Sequence, residues 1–149
     1  MRPRPVRTGD ARKDTTMTLT ADQQGYLKEH RLGVLGTGRR DGSPQLSLIM
    51  YEFDGNNIVI SVTSDRAKWK NAVRQPRVSV LVQDGRRQLI IYGSAQAVSD
   101  RAGIVAGHRR LRTAMGRLVE VGDDGFADEL EGQHRVILQI TPERAFSNE

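Results

Sequence analysis

Apolar and polar residues alternate along much of the chain with the two-residue period of half-buried β-strands. The clearest case is Pro44–Phe53, and shorter apolar segments flank it at Leu32–Thr37 and Ile58–Val62. Turn-forming residues separate these segments at Arg40–Ser43 and Asp54–Asn57, and the Asp-Gly pair in the first suits a tight hairpin. The pattern therefore predicts a three-stranded antiparallel meander. One face of the central strand carries Leu46, Leu48 and Met50, and the other carries Gln45, Ser47, Ile49 and Tyr51.

The second half of the chain predicts three further strands, at Arg77–Gln83, Gln88–Val98 and His134–Thr141. We expect the last strand to end at Pro142, because proline cannot donate a ladder hydrogen bond. Gly93 lies in the middle of the longest segment and predicts a bulge or bend. Six strands with hairpin connections and few parallel crossovers favour a mainly β (α+β) fold, a small antiparallel barrel with short helices.

Two short helices are predicted before the fourth strand. Thr20 and Gln23 have the spacing of a capping box, which predicts a helix over Ala21–His30. Ser64 is the expected N-cap of a second helix over Asp65–Gln75, which the next residue, a proline, would stop. The helical spacing of three apolar residues predicts its buried face, formed by Trp69, Ala72 and Val73.

A third helix is predicted after Ser99 and Asp100, either of which could cap it. Its apolar stripe would be Ile104, His108, Leu111, Met115 and Leu118. The segment from Glu120 to Gly132 is acidic and contains glycine, and we expect an excursion without a regular element there.

Composition and charge restrict the classes of function. The chain has 149 residues, 37% of them hydrophobic, and no cysteine, so disulfides and thiolate chemistry are excluded. No apolar run is long enough to cross a bilayer, and we expect a cytoplasmic protein with no membrane partner.

The net charge of +5 is uneven. Residues 1–16 hold five basic and two acidic side chains, or +3, which leaves only +2 for the remainder. We expect residues 1–16 to form a disordered basic tail before a single domain over 17–149, and we expect no nucleic-acid function.

The corner between the third strand and the second helix combines features that favour an anion. A helix N-terminus carries unpaired N–H groups and partial positive charge. Here Thr63 and Ser64 add hydroxyls, and Arg66 and Lys68 add full charges within the first turn. Asn71 lies three residues after Lys68 and shares its polar face. Residue types alone leave open the alternative that this is a solvated amphipathic helix.

Residues 32–98 closely resemble the pyridoxamine-phosphate-oxidase-like split-barrel family, and especially its branch of flavin- and deazaflavin-dependent reductases. The resemblance extends over most of the chain after Met17 and is weakest over 99–132. It rests on an ordered set of segments: Leu-Gly-Val-Leu-Gly-Thr at 32–37, Asp-Gly-Ser-Pro-Gln-Leu-Ser at 41–47, Arg-Ala-Lys-Trp-Lys-Asn at 66–71, Gln-Pro-Arg-Val-Ser-Val-Leu-Val at 75–82, Gly-Ser-Ala-Gln-Ala at 93–97 and His-Arg-Val-Ile-Leu-Gln-Ile at 134–140.

The resemblance implies a six-stranded split β-barrel that forms a homodimer, with a cofactor in each groove between subunits. Arg66 and Lys68 match the residues that hold the cofactor phosphate in the family. Residues Val62, Thr63 and Ser64 match the strand end beside the cofactor ring, Gln45 and Ser47 match the wall of the groove, and Asn71 is included for the face it shares with Lys68. Asp65 departs from relatives that have a neutral residue before the arginine.

The resemblance implies hydride transfer from coenzyme F420 to a small electron-poor substrate, with FMN as the alternative cofactor. Arginine pairs in two turns, Arg39–Arg40 and Arg86–Arg87, favour the longer anionic tail of the deazaflavin. No catalytic residue is assigned, and the proton could come from water or from a polar group such as Tyr51. A non-catalytic flavin or deazaflavin carrier remains the rival hypothesis. Three widely separated histidines lack metal-ligand spacing, so we expect no metal site.

Overall fold

The computed structural model describes residues 19–148, and six antiparallel strands form its centre. They close a barrel in the order β1-β2-β3-β6-β5-β4, which confirms the predicted six-stranded antiparallel architecture. The predicted tail at residues 1–16 lies outside the described residues. The strands are β1 Leu32–Gly38, β2 Pro44–Phe53, β3 Ile58–Thr63, β4 Arg77–Asp84, β5 Arg87–Val98 and β6 Arg135–Asn148.

The ladders that close the barrel differ greatly in length. Strand β2 pairs with β1 over its first seven residues, from Gly38↔Pro44 to Leu32↔Met50. It pairs with β3 only at its other end, through Tyr51↔Ile60, Glu52↔Val59 and Phe53↔Ile58. Strand β3 continues beyond this point along β6 to the pair Thr63↔Arg135. The wall of the barrel is therefore split between the first half of β2 and the second half of β3.

The alternation of β2 decides which face enters the core. Ile49, Tyr51 and Phe53 are buried, whereas Leu46 and Leu48 are each 71% exposed on the outer face. The barrel interior is filled mainly by branched side chains from the other strands, among them Leu35, Ile58, Ile60, Val80, Ile91, Leu138 and Ile140. This packing follows the period-two pattern that predicted the strands.

Four short helices surround the barrel: α1 Ala21–Glu29, α2 Ala67–Arg74, α3 Arg101–Ala114 and α4 Asp123–Gly132. The predicted capping box of α1 is present, because Thr20 Oγ1 accepts from Gln23 N at 3.1 Å and Gln23 Oε1 accepts from Thr20 N at 3.0 Å. The helix ends one residue earlier than predicted. None of the helices within residues 19–148 is long and apolar enough to cross a membrane.

Helix α4 was missed by the sequence prediction, which treated its segment as an irregular excursion. Phe126, Ala127 and Leu130 are buried against Val105 of α3, so the helix has an apolar face that its acidic composition obscures. Basic residues of α3 face those acidic groups, and the shortest contact of Arg101 is 2.8 Å to Asp128. The apolar stripe predicted for α3 was also too long, because it included residues beyond the end of that helix.

Helix α3 ends at Ala114, before two residues assigned to its apolar stripe. Asp100 is its N-cap and accepts a hydrogen bond from Gly103 N at 2.9 Å, as expected for one of the two candidates. Met115 is the C-cap, and Leu118 lies beyond the helix with 84% of its surface exposed. The buried face consists of Val105, His108 and Leu111.

Strand β6 does not end at Pro142, which is a further error of the sequence prediction. The strand continues to Asn148 and pairs with β5 on both sides of a register shift at Tyr92/Gly93. Pro142 lies opposite Gly93, and Arg144 lies opposite Tyr92, so Glu143 is the extra residue of a β-bulge. The missing N–H of proline is tolerated there because a bulge interrupts the ladder. The predicted irregularity at Gly93 is confirmed.

We predict that Gly93→Ala destabilises the protein by about 1–3 kcal/mol, because overpacking forces the backbone to move. A Cβ atom at this position would press against the backbone oxygen of Thr141 and lie 3.0 Å from Ile140 Cγ2. Chemical unfolding monitored by circular dichroism measures the loss.

The matched control for this substitution is Gly25→Ala within α1, where a Cβ would meet no atom within 4 Å. It should stabilise the protein by about 0.5–1 kcal/mol, since alanine favours a helix over glycine. Equal stability of the Gly93 variant and the parent would contradict the proposed close approach of β5 and β6.

Candidate functional site

A groove of about 410 Å³ opens where β2 and β3 separate. The first half of β2 forms one wall, the end of β3 forms the other, and the start of α2 closes one end. Six residues predicted for the cofactor site line this groove: Gln45, Ser47, Val62, Thr63, Arg66 and Lys68. Ser61, Ala67 and Arg135 complete the lining. The split in the barrel therefore brings together residues that are separated by up to 90 positions in the sequence.

The corner before α2 is formed differently from the prediction. The helix begins at Ala67, its N-cap is Arg66, and no side chain caps it by a hydrogen bond. Ser64 is therefore not the N-cap: its backbone N–H donates to the oxygen of His134 at 2.9 Å. Its side chain lines another cavity, beside α3 and α4. A turn between Thr63 and Arg66 delays the helix and leaves its N-terminus without a side-chain cap at the groove.

The predicted buried face of α2 is also partly wrong. Ala72 is buried and Trp69 is half-buried, but Val73 is exposed and Asn71 is 6% exposed. A polar residue is tolerated there because its hydrogen bonds are satisfied: the Asn71 amide donates to Gln45 Oε1 at 2.9 Å and to Thr37 Oγ1 at 3.2 Å. Asn71 thus does not line the groove but holds one of its wall residues.

Positive charge converges on the groove. Arg66, Lys68 and Arg135 all line it, and no carboxylate does. These three side chains form no ion pair with any residue from 19 to 148. Burial lowers the pKa of Lys68, and the neighbouring charges of Arg66 and Arg135 lower it further. An anion in the groove would relieve this repulsion.

Arg135 is a candidate site residue that sequence reasoning did not find. It is the first residue of β6 and is placed opposite Thr63 by the β3–β6 ladder. Sequence distance conceals this neighbourhood, because 71 positions separate the two residues and only strand pairing joins them. The one available signal was a basic residue at the start of a strand.

Ser61 and His108 form a hydrogen-bonded pair beside the groove, in which His108 is buried and Ser61 is half-buried. His108 is 4% exposed, its Nδ1 donates to Ile104 O at 2.8 Å, and its Nε2 accepts from Ser61 Oγ at 2.7 Å. Burial lowers the pKa of His108, and Arg135 and Arg112 lower it further, which favours the neutral imidazole. The predicted structural role of His108 on an apolar helical face therefore agrees with its contacts.

Tyr51 is a poor candidate for the proton donor that the sequence suggested. Its hydroxyl donates to the backbone oxygen of Leu27 at 2.9 Å, inside the barrel and toward α1. Burial raises its pKa above the usual range of a tyrosine. The Tyr51 hydroxyl is weakly acidic and faces α1, so it is poorly suited to donating a proton in the groove. Its hydrogen bond instead holds α1 against the barrel.

The acidic residue at the corner, Asp65, is fully exposed and does not line the groove. A hydrogen bond from the Thr63 side chain lowers the pKa of Asp65. The negative charge of Asp65 is therefore held by Thr63, beside the groove wall.

The two arginine pairs in the turns lie at opposite ends of the barrel. Arg39 and Arg40 follow β1 at the α2 end, where Arg74 donates to Gly38 O at 2.6 Å. Arg87 lies at the α1 end, with its guanidinium 5.1 Å from the ring centre of Tyr26. The two pairs thus lie apart within one chain, and their role in binding the anionic tail of the cofactor stays a prediction.

Comparison with known proteins assigns the family. The profile of the pyridoxamine 5'-phosphate oxidase family matches residues 19–148, which is the whole described part of the chain. The chain belongs to this family. The predicted resemblance is thereby confirmed, and the groove described above is a feature of a pyridoxamine 5'-phosphate oxidase-like barrel.

Solved structures share the barrel at low sequence identity. A conserved hypothetical protein from Mycobacterium tuberculosis is 25% identical, with a TM-score of 0.74 over 87% of this chain and 84% of its own. An F420 reductase is 23% identical, with a TM-score of 0.67 over 86% and 98% of the two chains. A FAD-binding protein from Mesorhizobium loti is 19% identical, with a TM-score of 0.65 over 87% and 93%. At these identities the last two show the fold.

The groove residues fit a cofactor of the flavin type that carries a phosphate. Three cations without acidic partners among the described residues can neutralise a phosphate, and the N-terminus of α2 lies beside them. The β2 wall of the groove contributes the hydroxyl of Ser47 and the amide of Gln45. The Gln45 carbonyl accepts from Asn71, so its NH₂ group remains free to donate to polar ring atoms.

The Ser61–His108 pair predicts a loss of stability in acid. Because the pKa of His108 lies below its ordinary value of 6.5 in the folded protein, the unfolded chain binds more protons as the pH falls through that value. Stability should therefore decrease from about pH 7.5 to about pH 5.5, and His108→Gln should reduce this dependence. Urea unfolding at each pH measures it.

His30→Gln serves as the control for this prediction. Its imidazole donates to the backbone oxygen of Tyr26, which raises the pKa of His30, and Asp84 at 3.0 Å adds to the effect. His30 therefore contributes stability below pH 6.5 that is lost as pH rises, so its removal should steepen the acid loss. An unchanged pH dependence in the His108 variant would show that its imidazole does not resist protonation.

Proposed function

We propose that this protein is an F420-dependent oxidoreductase that transfers a hydride to a small electron-poor organic substrate. The observation that supports this best is the groove at the β2–β3 split, where Arg66, Lys68 and Arg135 converge without a lining carboxylate. Arg66 and Lys68 bind the cofactor phosphate, and Arg135 extends the same charge along β6. Gln45, Ser47, Val62 and Thr63 face the cofactor ring.

The protein's part in the reaction is to bind, orient and exclude water. When bound, the reduced deazaflavin supplies a hydride, and the substrate gains that hydride and one proton while the cofactor loses two electrons. Val62 is buried at the floor of the groove and keeps it dry on the barrel side. Asn71 fixes the orientation of Gln45, so the donor group of that side chain does not have to be ordered when the ring binds.

F420 is proposed over FMN for two reasons. Positive charge extends beyond the position of the phosphate, and an F420 reductase shares the fold. Arg39 and Arg40 lie in the turn that leads into β2, six and five residues before the groove residue Gln45. Long anionic tails reach such positions, whereas FMN ends at its phosphate. Each exposed contact adds modestly to affinity and is weakened by salt.

A second cavity adjoining the groove favours an enzyme over a carrier. It shares Ser61, Lys68 and Arg135 with the groove and leaves room for a second molecule beside the cofactor. A carrier needs only the first site.

We expect purified protein to bind F420 more tightly than FMN, with the difference shrinking as salt is added. Titration of each cofactor, followed by the fluorescence of Trp69 near the groove, measures both dissociation constants. Tighter FMN binding, or FMN retained through purification, would assign an FMN-dependent oxidoreductase instead. Binding of neither cofactor would overturn the proposal.

Lys68→Ala should weaken binding of either cofactor about tenfold or more, since a charge-assisted hydrogen bond contributes roughly 1.5–3 kcal/mol. Lys70→Ala is the matched control, because Lys70 is an exposed lysine of the same helix that does not line the groove. Equal losses in the two variants would indicate a general charge effect and would remove Lys68 from the site.

We also propose that the protein is a homodimer. The outer face of the barrel carries an apolar row in which each residue is the registered partner of the next on the neighbouring strand. This outer row consists of Leu48, Val34, Leu81, Ile90 and Phe146. Leu48 and Phe146 are exposed, and the three between them are half-buried. An apolar strip across five strands is unusual on a monomer's surface and is buried by a second copy of the same face.

Sedimentation equilibrium at micromolar concentration should give a dimer, and Leu48→Glu should shift it toward monomer, because a buried unpaired charge is costly. The control is Leu118→Glu, which makes the same change at a more exposed leucine outside the outer row. A monomeric parent protein would contradict the proposed interface.

A further inference from the structure

A second cavity of about 330 Å³ lies between α3 and the outward faces of β2 and β3. The hydrogen-bonded pair Ser61 and His108 is part of its lining. Ser61, Lys68 and Arg135 line both this cavity and the groove, so the two spaces are neighbours across these three side chains. A ligand in the cavity would therefore lie directly beside a cofactor in the groove.

The lining of the cavity is strongly basic. Arg31, Lys68, Arg112, Arg117 and Arg135 contribute positive charge, and no aspartate or glutamate is present in the lining. The carboxyl end of α3 also borders the cavity, and its partial negative charge explains one arginine of the last turn, Arg112. It does not explain five cations, because the effect of the dipole falls off within a turn.

Some of these cations are already engaged and others are not. Arg112 stacks over Phe126, with 4.8 Å from Cζ to the ring centre, and lies 3.8 Å from Glu129. Arg31 donates to backbone oxygens of Lys28 and His30. In contrast, the side chains of Lys68, Arg117 and Arg135 have neither an ion pair nor a hydrogen bond within residues 19–148. Lys68 also lines the groove, where it is assigned to the cofactor phosphate, so Arg117 and Arg135 are the charges available to a ligand in this cavity.

The remaining wall is apolar. Leu48 and Met50 of β2 line it together with Leu111 of α3 and the C-cap residue Met115, and Leu48, Met50 and Met115 are exposed in the chain alone. Methionine and leucine form a surface that accepts flat or irregular apolar bodies. The combination of an apolar wall with unpaired cations suits a molecule that has both an apolar body and a negative charge.

We propose that this cavity binds the substrate of the oxidoreductase, and that the substrate is an organic anion with a flat apolar body, such as a conjugated carboxylic acid. That the bound molecule is a substrate rests on the proposed function, whereas the preference of the cavity for such anions rests on its own lining residues. The carboxylate pairs with Arg117 and Arg135, and the apolar body lies on Met50 and Met115. Such a substrate takes up a hydride from the reduced cofactor and a proton from water at the adjacent carbon.

The test uses two probes that share one aromatic ring system, of which one is an anion and the other is neutral. Isothermal titration calorimetry of the full chain with 1-naphthoate and with 1-naphthalenemethanol is performed with and without saturating F420. We expect the anion to bind about tenfold or more tightly than the alcohol, as expected for a charge-assisted contact, and to bind in the presence of F420. Equal binding of the two probes, or binding of neither, would overturn the proposal.

Variants locate the site. Arg117→Gln should weaken naphthoate binding about threefold to tenfold and leave the alcohol unchanged, whereas Arg117→Lys should retain most of the affinity. Arg77→Gln is the control for net charge, because Arg77 is exposed and does not line the cavity. A loss in the control equal to that in Arg117→Gln would assign the effect to long-range charge and overturn the site.

The outcomes separate this inference from the proposed function. Competition between naphthoate and F420 would assign the cavity to the cofactor's tail and overturn the substrate site. Binding of F420 without selective binding of naphthoate would leave the oxidoreductase proposal intact and overturn this inference. Selective, Arg117-dependent binding of naphthoate without binding of F420 or FMN would establish the anion cavity and overturn the oxidoreductase proposal.

Discussion

The short ladder between β2 and β3 is the constraint on which the candidate site depends. Three registered pairs close the barrel at one end of β2, and beyond Tyr51 each strand follows its other neighbour. The gap that remains exposes the edges of both strands. The backbone N–H and C=O groups at these edges must form hydrogen bonds with solvent or with a ligand. Helix α2 closes one end of the gap, and the rest is the groove. A longer ladder would seal the wall and remove the space for a cofactor.

The groove brings like charges together in a partly buried place, which is unfavourable for the protein alone. Burial is the largest cause of the lowered pKa of Lys68, and the charges of Arg66 and Arg135 lower it further. Such an arrangement is stable only because the fold is stabilised elsewhere, chiefly by the barrel interior. A bound anion would remove the repulsion, so ligand binding should stabilise the folded chain and raise the pKa of Lys68. The electrostatic strain in the free protein is thus the source of affinity for the ligand.

The outer surface of the barrel is divided into two regions with different chemistry. Helices α3 and α4 cover the β3–β6 side, where Val59 and Ile137 pack against Leu111. Acidic α4 is attached to basic α3 by exposed ion pairs such as Arg109–Asp123, whose atoms are 2.8 Å apart, and by its own buried face. The other side of the barrel has no helical cover within the described chain and carries the outer row. The candidate substrate cavity lies at the border between the two regions, where Leu48 belongs to both.

Local patterns by themselves determined much of this protein. Apolar segments bounded by turn residues predicted all six strands, the Thr20–Gln23 spacing predicted the cap of α1, and six predicted site residues meet in one groove. These features depend on near neighbours in the chain, which a sequence displays directly. Tertiary structure alone decided the features that depend on distant neighbours. Strand pairing placed Arg135 opposite Thr63, packing on α3 made a helix of the acidic segment at Phe126, and a bulge opposite Gly93 allowed β6 to continue through Pro142. The exposed face of β2 was decided in the same way, because alternation marks two faces and only closure of the barrel selects the one that is buried.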